Sequence, residues 1–146
     1  MLLRKVISIA STAFLFNFVW EMLQMPFYLG MIPTDLNDWY LCFKAALGDL
    51  AVTLSIYIAG RTGFREWSWP FEFNVPQITY IALVGAAFAT YFEITALESG
   101  EWGYPKLMPR VPLLNVGVVP RIQMMVLPAL SCKVGLRISQ RFNRKA

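Results

Sequence analysis

The chain has 146 residues, 57% of them hydrophobic and only 15% charged, with a mean hydropathy of +0.50. A water-soluble domain of this length needs more charge to cover its surface, so the composition excludes a soluble globular domain and implies an integral membrane protein. The net charge of +4 does not point to nucleic acid, because the basic residues sit at the ends of apolar runs, and the absence of histidine removes imidazole bases, Ser-His-Asp triads and histidine-built zinc sites.

A bilayer core of about 30 Å needs roughly 20 apolar residues in a helix. The first such run is 6–25, ended by Pro26. Arg4 and Lys5 precede it, but it is too long for a signal peptide, contains Asn17 and Glu21, and is followed by no small-residue cleavage site. Asn17, Glu21, Gln24 and Tyr28 are spaced four, three and four apart, which puts them on one helix face. That polar stripe must face protein or a water-filled cavity.

The second run is 40–60, with Asp49 and Thr53 on one face and Gly48 beside alanines that permit close helix approach. The following "FREWSWPFEF", 64–73, suits an aromatic loop in the headgroup region. The third run, 77–97, is opened by Pro76 and carries Ala86, Thr90 and Glu93 along one side. Next comes "ESGEWGYPKLMPRVPLL", where Pro105, Pro109 and Pro112 stiffen a lid holding Trp102 and Tyr104. The fourth run, 113–136, contains Gly117, Pro120 and Pro128, so an irregular start is expected before it becomes helical. Its Arg121 and Gln123 follow Pro120, and it ends in a basic, amphipathic tail suited to anionic lipid.

The expected fold is all-α: one transmembrane domain over residues 1–146, a four-helix bundle with both termini cytoplasmic. The orientation rests on Lys and Arg. The cytoplasmic side would hold Arg4, Lys5, Arg61, Arg65, Lys133, Arg137, Arg141, Arg144 and Lys145, and the other side Lys44, Lys106, Arg110 and Arg121. Cys42 and Cys132 then fall near opposite faces, and no disulfide is expected between them.

Helix rise brings Glu21, Asp49, Glu93 and the Arg121/Gln123 pair to the middle and outer part of the bilayer. An ionisable group at the bilayer centre costs roughly 2.5–3.5 kcal/mol on insertion scales, which favours convergence on a shared polar pocket. Glu21, Asp49 and Glu93 are the candidate catalytic residues, Glu21 and Glu93 as proton donor and acceptor and Asp49 as their electrostatic partner. Gln24, Arg121, Gln123, Trp102 and Tyr104 are the candidate substrate-binding residues. With one Arg among three acids, at least one carboxyl is expected to hold its proton. The alternative is that the same acids are structural, pairing with Arg and Gln to hold the bundle. No metal-spaced cluster or phosphate loop occurs, so neither metal nor cofactor is expected.

Trp20-Glu21, Gln24-Met25-Pro26, Tyr28, Gly48-Asp49, Glu93, Trp102-x-Tyr104, Met108-Pro109, Pro112, Gly117, Pro120 and Gln123 together resemble the pattern of a group of small bacterial four-span membrane proteins without an established activity. The resemblance covers most of the chain and implies the fold and the site. Lys44-Ala45 stand where that pattern has His-Cys. A looser similarity, to integral-membrane lycopene cyclases and carotenoid hydratases, runs through Glu93, Gly100-Glu101-Trp102-Gly103-Tyr104, Pro120 and Gln123. Arg121 and Ile122 stand where those enzymes have paired acids.

The function expected from these residues is binding or acid–base processing of a lipid-like substrate, isoprenoids included, in the bacterial inner membrane. The partners would be membrane lipid or an apolar small molecule, or other membrane subunits, and no nucleic acid. The rival is a non-enzymatic accessory or assembly subunit of a larger membrane complex.

Overall fold

The computed structural model describes residues 2–72 and 74–145, with side chains up to Phe142 in the last helix. Phe73 of the aromatic loop and the side chains of Arg144 and Lys145 lie outside the described residues. The described residues form four α-helices: α1 (Leu2–Gln24), α2 (Leu36–Phe64), α3 (Val75–Ser99) and α4 (Val118–Lys145). Among the described residues, three segments are long and apolar enough to cross a membrane: Leu2–Phe27, which is α1 with the turn after it, Leu36–Phe64 and Val75–Ser99. The protein is therefore an all-α bundle and an integral membrane protein. The fourth helix, of 28 residues, is also long enough but more polar, with Arg121, Lys133, Arg137 and Arg141 along it.

Local chemistry sets the helix ends. Pro26 stops α1, and the chain leaves through a 3₁₀ turn at Met25–Phe27. Asp35 caps α2 by accepting from the Asn37 N–H at 2.8 Å, and Arg65 ends it in the left-handed region at φ 60°. Asn74 opens α3, with its N–H donating to Gln77 Oε1 at 3.0 Å and Pro76 in the first turn. Gly100 ends α3 at φ 73°. The expected fourth run begins its helix at 118 rather than 113, because Leu113 and Asn115 have positive φ and 112–117 form a tight loop.

Going round the bundle, the order is α2–α1–α4–α3. Neighbours are antiparallel: Thr12 Oγ1 donates to Ser131 O at 2.9 Å, and nearer the other end Gln123 Nε2 donates to Asn17 Oδ1 at 3.0 Å. Gly135 lets α4 approach the backbone of Ile9, where an added Cβ would lie 2.7 Å from Ile9 Cα. On the opposite flank, a Cβ at Gly85 would collide with the Met124 carbonyl. Pro128 has no N–H, so that same carbonyl, four residues earlier, lacks its usual helical donor. The Gly85 methylene is thus set against a carbonyl that proline has freed, a weak C–H···O contact.

α1 and α3 are not neighbours in the ring, and α2 and α3 meet at the end where the termini lie. There Tyr80 OH donates to Ile56 O at 3.2 Å, and Trp69 Nε1 to Tyr57 O at 3.0 Å. Trp69 is buried on Gly60 and stacks on Phe64 at 4.8 Å. The aromatic loop, expected among lipid headgroups, thus turns inward at Trp69 and plugs the terminal end of the bundle. Lys5 Nζ fastens it by donating to Ser68 Oγ at 2.7 Å.

Candidate functional site

At the opposite end α2 and α3 stay apart, and a cavity of about 550 Å³ lies between them. Its floor is built by α1, α2 and α4. Gln123 Nε2 lies 2.9 Å from Glu21 Oε1, 2.7 Å from Asp49 Oδ2 and 3.0 Å from Asn17 Oδ1. An amide nitrogen has only two protons, so three acceptors compete for them. Glu21 and Asp49 thus share one donor, the Gln123 amide. Gln24 is buried beside them and accepts from Trp20 Nε1 at 3.1 Å.

The upper part is built by α3 and the lid. Glu93 is only 5% exposed, and its Oε1 accepts from Tyr28 OH at 3.4 Å. Trp102 lies close enough to Glu93 to interact with it, yet its Nε1 and Glu93 Oε2 are both buried without a hydrogen-bond partner of good geometry. Tyr28 is held between Trp102, edge-on at 5.9 Å, and Tyr104 at 5.8 Å. The lid itself is tied down. Leu29 N donates to Gly103 O at 2.9 Å, Val111 N to Val116 O at 2.8 Å, and Val118 N to Pro109 O at 2.8 Å.

Most of the residues expected at the site come together. Glu21, Gln24, Asp49, Glu93, Trp102 and Gln123 all line the cavity. Arg121 does not; it is half-buried, and none of the three acids has a cation among its interactions. The Gln123 amide occupies the place anticipated for a guanidinium. Tyr104 does not line the cavity either. Its hydroxyl accepts from Gly117 N at 2.9 Å and its ring lies under the Arg110 guanidinium at 5.4 Å, so it braces the lid.

Two further residues of the α1 stripe belong to the site: Asn17, which shares Gln123, and Tyr28, which holds Glu93. Tyr28 lies beyond Pro26, where helical spacing need not continue. It stays on the polar face because the 3₁₀ turn carries the rotation onward. Lys44 lines the rim of the cavity, exposed, with its Nζ 5.2 Å from the centre of the Tyr40 ring. A scan of protein-family models finds no match to this chain, and neither do searches of the curated proteins and the solved structures.

Proposed function

We propose that the chain lies in the bacterial inner membrane with both termini cytoplasmic, holds a lipid-like molecule in its acid-lined cavity, and processes it by proton transfer. The observation that carries this reading is the convergence of Glu21, Asp49 and Glu93, from three helices, on one open cavity whose hydrogen-bond donors are neutral. Acids serving only to hold helices together would need no open space beside their partners. Here they face a space large enough for a substrate, walled by Tyr28, Phe92 and Trp102.

Gln123 and Gln24 orient Glu21 and Asp49, and Tyr28 orients Glu93. One carboxyl delivers a proton to a carbon–carbon double bond of the substrate. A second carboxyl removes a proton from a neighbouring carbon. The substrate is rearranged with no gain or loss of atoms, so no cofactor enters the step. The aromatic walls stabilise the cation formed in between. The similarity to lycopene cyclases in Glu93 and Gly100–Tyr104 points to the same chemistry.

The test is the lipid and isoprenoid profile of cells expressing the chain, read by mass spectrometry. Wild type should shift that profile, while Glu21→Gln and Glu93→Gln, folded to the same extent, should not. Both variants acting like wild type would end the reading. A stoichiometric protein partner in mild detergent, with no lipid carried along, would favour the accessory-subunit alternative.

A further inference from the structure

The cavity is open to the side as well as polar at its floor. Leu41, Lys44 and Gly48 on α2, and Phe92, Thr95 and Ser99 on α3, both line it and are exposed. These helices face the bilayer, so the gap between them opens toward hydrocarbon rather than water alone. Within the cavity, Glu21 and Asp49 are engaged by Gln123, whereas Glu93 Oε2 and Trp102 Nε1, though near each other, are buried with no hydrogen bond of good geometry between them. A buried polar atom without a partner is costly, and these two ask for different things: the indole N–H only donates, and the carboxyl oxygen calls for a donor.

A hydroxyl satisfies both, accepting from the indole and donating to the carboxylate. An ammonium only donates and would leave the indole N–H unpaired. A carboxylate or phosphate would join three acids with no cation beside them except Lys44 at the rim. We infer that the cavity takes a lipid ending in a single neutral oxygen, a long-chain or isoprenoid alcohol, which slides in from the bilayer between α2 and α3 and sets its oxygen against Glu93 and Trp102. This names the substrate class of the site described above and rests on that reading of it.

The full chain in lipid nanodiscs would be photolabelled with hexadecanol, hexadecylamine and hexadecanoic acid carrying the same diazirine. The alcohol should label about tenfold more than the other two, the factor expected when one buried group is left unpaired. Its adducts should map to α2 and α3. An added Cβ at Gly48 meets nothing within 4 Å, so Gly48→Leu fills the opening without disturbing helix packing. It should cut labelling by about tenfold at an unchanged melting temperature. Gly63, equally free of neighbours but away from the cavity, supplies the control: Gly63→Leu should label as wild type.

Equal labelling by the three probes, or full labelling of Gly48→Leu, would overturn the inference. Trp102→Phe should erase the preference for alcohol over amine. If it lowered the melting temperature and kept the preference, Trp102 and Glu93 serve only each other and the assignment falls. Lost turnover in Glu93→Gln without head-group preference leaves the proton-transfer reading standing and removes this one. A clear preference with full turnover in both Glu→Gln variants does the reverse.

Discussion

Gln123 and Arg121 are two residues apart, about 200° round a helix, so only one of them can face the acids. In hydrocarbon a neutral amide is the cheaper group to bury, and it can donate to acids on two other helices at once. Gln123→Leu leaves those acceptors without a donor and should lower stability by about 1–3 kcal/mol, read as thermal unfolding in detergent. Arg121→Gln should melt within about 0.5 kcal/mol of wild type; the opposite ranking would restore the guanidinium as partner. That the acids converge was legible in the sequence, because period and depth leave buried charge few places to go. Which of two alternating polar residues turns inward was not, since both obey the same spacing rules. Trp102 and Tyr104 differ in the same way: both flank the mouth in sequence, but one lines the cavity and the other holds the lid.

Between elements, contact is set by glycine. Gly85→Leu must displace the Met124 backbone and should cost about 1–3 kcal/mol, with α3 moved off α4. Gly63→Ala, which meets nothing, should instead stabilise by up to about 1 kcal/mol through helix propensity. Equal effects from the two substitutions, measured by thermal unfolding, would mean that the close approach at Gly85 does not matter. The helices themselves were readable from apolar runs and from Pro26 and Pro76. Their order round the ring was not, because it depends on which small residue meets which carbonyl, a pairing no single segment reveals. The aromatic loop misled for a related reason. Tryptophan suits a headgroup region, but here a glycine on α2 offers Trp69 a slot and the Tyr57 carbonyl an acceptor.

For the molecule as a whole, the lid is the part that local bonds hold rather than helix packing. Tyr104→Phe removes the bond to Gly117 and should cost about 1 kcal/mol. Hydrogen exchange should quicken over 104–117 and stay unchanged in α1 and α2; uniform quickening would make Tyr104 part of the general core. Orientation is a property of the whole chain as well. Reporters fused to the two termini should both read cytoplasmic, as the Lys and Arg distribution asks. Reporters on opposite sides would mean that α4 does not cross.

The bundle is plugged at one end by Trp69 and Tyr80 and open at the other. In the proposed orientation its three acids should therefore exchange protons with one compartment alone. A membrane holding many copies should keep its proton-motive force, and vesicles loaded with the protein should retain an imposed pH difference as long as empty ones do.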